Sequence, residues 1–160
     1  AASGKSTVVK ELVRRGYTAY NTDDMADVTR LEDLSGQPAN PPRPVNWSKY
    51  GWNWQEKGLK KLLASNDPVF VAAIVSNQQR FYDLFDLIFI LTLDVDELTH
   101  RLKTRTTNDY GKHPDELKEI TADHLEFQQS IIDGAGGKAV VIDGALPLKK
   151  IVVQIIANLK

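Results

Sequence analysis

The chain of 160 residues contains no cysteine, which excludes disulfides, thiolate metal centres and cysteine nucleophiles. It has no surplus of positive charge either: 20 lysines and arginines stand against 21 aspartates and glutamates, a net charge of −1. Coating duplex DNA needs such a surplus to meet the phosphate backbone, so nucleic acid is not an expected partner. Long apolar runs are also missing. Stretches such as Val69 to Val75 fall far short of the ~20 residues of a membrane span, so no membrane partner is expected. No secretory signal is expected ahead of the first motif. What remains is an ordinary globular composition, 42% hydrophobic with 10 glycines, at the size of one compact domain. The expectation is one soluble, cytoplasmic domain over 1–160. Oligomeric state has no signature here.

The sequence opens Ala1-Ala2-Ser3-Gly4-Lys5-Ser6-Thr7. Gly4, Lys5 and Ser6 occupy the diagnostic places of a phosphate-binding loop, G-x-x-x-x-G-K-[ST]. Glycine lets the backbone approach phosphate oxygens, and the first N–H groups of the following helix form an anion cradle. In this pattern Ala2 to Thr7 surround the phosphates of ATP, Lys5 reaches the outer ones, and Ser6 binds Mg²⁺. Val8, Val9, Leu12 and Val13 fall on one face of the helix that follows, and Gly16 stops it. The motif's first glycine would lie two residues before Ala1, so the reading is of a fragment whose first strand is outside the chain.

Further along, Tyr17 to Tyr20 reads as a short strand ending in the turn Asn21-Thr22-Asp23-Asp24. Residues 35–54, with four prolines and Trp47, Trp52 and Trp54, read as an irregular insertion, of the kind that is often functional. The substrate-side region as a whole is placed at 31–58. Leu59, Leu62 and Leu63 mark a helix that Asn66-Asp67-Pro68 ends. Val69–Val75 and Leu87–Leu93 lack alternation, as strands covered on both faces do. Asp94 is a predicted N-cap with Glu97 at the capping-box position. One helix is expected to carry Leu117 through Ile132, and Ala139–Ile142 reads as the last strand. The last helix carries the stripe Ile151, Val152, Ile155, Ile156 and Leu159. Strands alternating with helices predict a three-layer α/β domain with a parallel sheet.

With these segments in place, the chain resembles the P-loop kinases of the nucleoside-monophosphate-kinase-like group, which includes adenylate, cytidylate, shikimate and gluconate kinases. The turn Asn21-Thr22-Asp23-Asp24-Met25 resembles the S-T-G-D-L/M of adenylate kinases, on which Thr22 and Asp24 match. On the D-x-D of shikimate kinases, Asn21 and Asp23 take the two acidic places. Either carboxylate then serves substrate or the magnesium shell. Arg101-Leu102-Lys103-Thr104-Arg105 resembles the R-x-x-x-R that opens the lid of adenylate kinases. The resemblance implies that Arg101 packs near adenine, that Arg105 touches phosphate, and that the backbone around Gly144 also borders adenine. The lid, 106–114, is short and lacks the family's later arginine pair, with Lys112 a candidate substitute. The family's sheet order is 2-3-1-4-5, whose central first strand is absent from this sequence, so restoring upstream residues is expected to stabilise the chain.

The expected function is ATP-dependent phosphoryl transfer to a small molecule, most readily a nucleotide or nucleoside, with ATP and Mg²⁺ as cofactors. Phosphoryl transfer needs positioning and positive charge more than covalent chemistry. Lys5, Asp23, Asp24, Arg101 and Arg105 are therefore the catalytic candidates, and Ser6 and Asp23 the metal candidates. Thr22, Asp24, Arg43, Asn77 and Arg80 are the substrate candidates. Asn77 and Arg80 follow a buried strand's C-terminal end, where open parallel sheets bind ligands. Each residue has a plainer reading: an aspartate that caps a helix, arginines on a solvated face, a polar exit from a strand. Trp47, Trp52 and Trp54 either stack on substrate or anchor the insertion. His100, His113 and His124 show no metal spacing. Two other functions fit the same motifs, a shikimate- or gluconate-type metabolite kinase and an ATP-binding switch that transfers nothing.

Overall fold

The computed structural model describes residues 2–65, 67–106 and 109–159. Ala1 of the opening motif, Asn66 of the helix breaker, and Thr107 and Asn108 of the expected lid lie outside the described residues. The chain packs as two compact units. One is Lys5–Arg80 with Leu159; the other is Phe81–Asn158 with the N-terminal residues through Gly4.

In the Lys5–Arg80 unit, helix α1 (Lys5–Arg14) buries Val8, Val9 and Leu12. Val13, expected on the same stripe, is 52% exposed. It sits about 100° around the helix from Leu12, past the edge of the apolar face. Gly16 ends α1 at φ +91, a conformation other residues resist. Its N–H donates to the Val13 carbonyl and that of Tyr17 to the Leu12 carbonyl, the paired bonds of a Schellman stop. The turn leads into β1 (Thr18–Asn21), which pairs in parallel with β4 (Val69–Ala72), Thr18 opposite Val69. Because α1 packs on β1 and joins it through a tight turn, the two run antiparallel. The start of α1 and the end of β1 therefore share one end of the unit.

The same unit holds an antiparallel pair, β2 (Thr29–Asp33) with β3 (Tyr50–Trp54), in which Thr29 faces Trp54 and Asp33 faces Tyr50. This corrects the expectation of an irregular 35–54. The aromatics at 50, 52 and 54 alternate with period 2 and favour a pleated surface, while the prolines stay between 38 and 44. Asp33 starts the intervening loop by accepting N–H bonds from Ser35 (2.8 Å) and Gln37 (3.0 Å). Helix α2 (Glu56–Leu63) then buries Leu59 completely. A Cβ on Gly58 would lie 2.2 Å from the Asp27 carbonyl oxygen, so α2 rests directly on the backbone before β2.

In the Phe81–Asn158 unit, β5 (Ile88–Thr92) pairs in parallel with β6 (Ala139–Asp143), Ile88 opposite Ala139. Helix α3 (Val95–Thr104) begins at Asp94, whose carboxylate accepts the Glu97 N–H at 2.7 Å. The return bond of a capping box is not among those formed, because the Glu97 carboxylate turns to Arg101 instead. Leu98 and Leu102 of α3 are fully buried with Leu93, and Leu117 and Ile120 pack against them. The single helix expected over 117–132 is two, α4 (Pro114–Ala122) and α5 (His124–Ala135), broken at Asp123 with φ −110 and ψ 13. Helix α6 (Leu148–Ala157) buries Ile151, Val152 and Ile155 of the expected stripe, while Ile156 is half-buried and Leu159 lies past the helix's end. The described strands form three two-stranded sheets, β1–β4 and β5–β6 parallel and β2–β3 antiparallel, where a single parallel sheet was expected. No helix among the described residues is long and apolar enough to cross a membrane.

Candidate nucleotide and acceptor sites

At the start of α1 the backbone takes the shape the motif requires. Gly4 has φ +93 and Ala2 φ +53, so the chain turns through the left-handed region before the helix begins at Lys5. No atom within 4 Å would meet a Cβ on Gly4, which leaves that face of the turn open. The first N–H groups of a helix lack intrahelical acceptors and carry its positive dipole end. No acidic side chain occupies the first turn, and Ser6 and Thr7 are exposed. These donors fit a nucleotide's phosphates. Among the described residues no three His, Cys, Asp or Glu side chains gather to hold a metal.

At the end of β1, Thr22–Asp24 form a single turn of 3₁₀ helix, positioned by β3. Alternate residues of a strand share a face, and two of them address successive residues of the turn. The Trp52 indole N–H donates to Asp23 Oδ1 at 2.9 Å, and the Trp54 indole N–H donates to Thr22 Oγ1 at 2.9 Å. Asn21 donates to Asp24 Oδ2 at 2.8 Å. Strand β3 is itself clamped along its far edge. The Ser76 N–H bonds to the Trp52 carbonyl at 2.7 Å, and the Asn77 amide accepts from the Trp54 N–H and donates to its carbonyl, both at 3.0 Å. Thr22 and Asn77 were expected to touch substrate. Thr22 is fully buried, and the polar atoms of both are bonded to Trp54. Of the two readings for the tryptophans, Trp52 and Trp54 follow the anchoring one, with indoles that also fix the turn.

Asp23, Asp24 and Trp52 line a cavity of about 470 Å³, with Arg30 and Asn40 on its walls. Arg43 and Arg80 are exposed and do not line it. Arg80 instead helps to hold the Glu56 carboxyl below its ordinary range, behind the larger effects of Lys60. Arg30 carries a fixed neighbour. Its guanidinium bonds Glu32 at 2.8–2.9 Å, and Glu32, though buried, also accepts from Asn53 and Gln55 at 2.9 Å each. Burial pushes the Glu32 pKa up, and the bonds from Asn53, Arg30 and Gln55 together bring it below the ordinary value. Sequence reasoning missed Arg30 and Glu32. Their signal was faint: two opposite charges at i and i+2, which share a face only once the segment is a strand.

In the Phe81–Asn158 unit, two of the residues assigned to adenine meet directly. Arg101 donates to the Gly144 carbonyl at 3.0 Å and to Glu97 Oε1 at 2.6 Å. Gly144 is buried, its N–H bonded to the Thr92 carbonyl, and a Cβ there would lie 2.8 Å from that oxygen. Arg105 donates to the Tyr110 carbonyl, and burial lowers its pKa against the raising effects of Tyr110 and Asp109. Lys112 pairs with Asp109 at 3.0 Å. The buried Glu116 carboxylate accepts the Gly111 N–H at 2.9 Å, which ties the described end of the lid to α4. The histidines have ordinary tasks: His113 caps α4, His124 bonds the Leu93 carbonyl at 2.8 Å, and His100 is exposed.

A left-handed glycine leading into a Lys-Ser-Thr helix start, on an α/β frame with parallel pairs, defines the class of phosphate-loop nucleotide-binding domains. A family profile described as an AAA domain matches residues 1–144, and the chain belongs to that family of P-loop NTPases. The family binds nucleotide, typically with Mg²⁺, and includes kinase-like members. Neither a curated protein nor a solved structure matches the chain.

Proposed function

We propose that the protein is a small-molecule kinase that transfers the terminal phosphoryl group of ATP to a hydroxyl or phosphate of a nucleotide-like acceptor. The observation that carries this reading is the cavity lined by Asp23, Asp24 and Trp52, at the end of the strand that packs on the phosphate-loop helix. A switch that only binds ATP has no use for a fixed carboxylate pair facing a second cavity. ATP supplies the phosphoryl group, and Mg²⁺ neutralises its charge. Lys5 stabilises the negative charge on the transferring group, and the donors at the start of α1 hold the phosphates still. Asp23 or Asp24 orients the attacking oxygen and takes its proton when that oxygen is a hydroxyl. Trp52 keeps the Asp23 carboxylate in one orientation.

The test is ADP release from ATP and Mg²⁺ with nucleosides, nucleoside monophosphates, shikimate and gluconate as acceptors. One acceptor is expected to stimulate release, and Lys5→Ala to reduce the stimulated rate by about 10²–10³-fold. Slow, acceptor-independent hydrolysis with ATP still bound would favour the switch. Stimulation by shikimate or gluconate alone would favour the metabolite kinase.

A further inference from the structure

The wall of the acceptor cavity continues into a second cavity of about 280 Å³ that shares Ala26 and Arg30 with it. Lys57 and Lys61 line the second cavity, one turn apart on the same face of α2. Their setting is unusual for surface lysines. The neighbouring Lys60 is neutralised by Glu56 at 2.6 Å, whereas Lys57 and Lys61 form no ion pair among the described residues. Like charges at i and i+4 oppose one another, so leaving both unneutralised on one face costs the helix stability that an anion would return. Asp27 is the one carboxylate lining this cavity, against Lys57, Lys61 and an Arg30 already paired with Glu32. Arg30 spends Nε and one terminal nitrogen on Glu32 and keeps the other for a ligand. The contact of Gly58 with the Asp27 carbonyl fixes α2 against the segment that carries Arg30, so the three cations have a rigid base.

We infer that Arg30, Lys57 and Lys61 form a subsite for a phosphate carried by the acceptor, beyond the end that meets Asp23 and Asp24. Arg43 and Arg80, the arginines first considered for that task, line neither cavity. The assignment to the acceptor rests on the kinase reading, but the anion site does not. With its phosphate held there, a nucleoside monophosphate or a sugar phosphate presents a hydroxyl, and not that phosphate, to Asp23 and Asp24.

Inorganic phosphate is titrated against the isotope-labelled protein while the amide resonances of 56–61 are followed by NMR. Saturable shifts are expected there, and Lys57→Ala/Lys61→Ala is expected to weaken binding about tenfold or more. Lys60→Ala and Lys5→Ala should leave those shifts in place, since Lys60 lines neither cavity and Lys5 serves the phosphate loop. Linear, unsaturable shifts, or equal binding by the double variant, overturn the subsite. Both lysines are exposed, and an unchanged amide spectrum elsewhere shows that the variant is folded. The acceptor arm compares adenosine with adenosine monophosphate, and ribose with ribose 5-phosphate, in ADP release. A preference for the phosphorylated member that the double variant loses supports the assignment, and the responding pair names the source. Equal stimulation by both members of a pair overturns it while the kinase reading stands. Phosphate binding without any stimulated release leaves the anion site standing and sinks the kinase reading.

Discussion

The two units hold their candidate site residues by different means. In the Phe81–Asn158 unit the arginines take partners nearby in the chain, Arg101 in Glu97 one turn earlier and Arg105 in the Tyr110 carbonyl, with the Gly144 carbonyl a more distant second partner of Arg101. In the Lys5–Arg80 unit, Asp23 and Thr22 are held by indoles 29 and 32 positions away. Those indoles are placed in turn by β2 and by Asn77, itself 23 positions from Trp54. A side chain fixed within its own helix survives distortion elsewhere. One fixed across a strand pair depends on that pair's register, because a slip of one residue turns every side chain to the opposite face. The carboxylate side should therefore be the more precise of the two and the more easily broken.

The largest test of that contrast is Gly58→Ala. The added methyl meets the Asp27 carbonyl oxygen at 2.2 Å, a backbone atom that cannot rotate away. Overpacking of this kind costs about 1–3 kcal/mol, with this contact at the upper end, far above the benefit alanine normally brings to a helix. Amide exchange is expected to accelerate in β2, β3 and α2 and to stay unchanged in α3. Equal acceleration in α3 would mean that the units do not differ in the way described. A smaller perturbation is Trp52→Phe, which keeps most of the packing and removes the bond to Asp23. It should cost about 1 kcal/mol of stability and lower acceptor-stimulated turnover about tenfold, while ATP affinity is unchanged. A matching loss of ATP affinity would show that the indole is not specific to the acceptor side.

The same contrast explains what the sequence made legible. The left-handed turn at Gly4, the Asp94 cap and most of the α6 stripe are decided within a few residues, and these stand in the structure. Strand β3 was hidden because Gly51 and Asn53 interrupt its aromatics and four prolines precede it, a composition that reads as loop. Its partner β2 gave no signal of its own. With the pair unseen, Trp52 and Trp54 had no direction, Asn77 had no strand to clamp, and Arg30 and Glu32 had no shared face. The helix that carries Lys57 and Lys61 is legible from its leucines, but the cavity beside them depends on how α2 rests on the backbone at Asp27. The break at Asp123 was missed for a related reason. Apolar residues keep helical spacing on both sides, and local periodicity does not register a change of axis.

Acid titration gives the finest test, because one glutamate of each kind lies within the same unit. Glu11 is held locally: hydrogen bonds from Arg14 and Arg15 lower its pKa to about 2, with its side chain only 14% exposed beneath them. Glu32 is held across the strand pair, where burial raises its pKa and the bonds from Asn53, Arg30 and Gln55 outweigh that rise. Both pKa values lie below those of the unfolded chain, so each contributes stability above the ordinary glutamate range, lost as pH falls through the folded value. Both Glu11→Gln and Glu32→Gln should therefore flatten the acid limb of a stability profile. Salt separates them. At 1 M the screening length is about 3 Å, which weakens the ion pairs of Glu11, one of them to an Arg14 that is 71% exposed, and leaves in place the bonds from the neutral Asn53 and Gln55 amides to Glu32. In denaturant titrations repeated from neutral pH downward, added NaCl should erase the difference between Glu11→Gln and the parent and preserve that of Glu32→Gln. If salt erased both, Glu32 would be an ordinary surface charge, and the long-range anchoring of the acceptor side would lose its buried support.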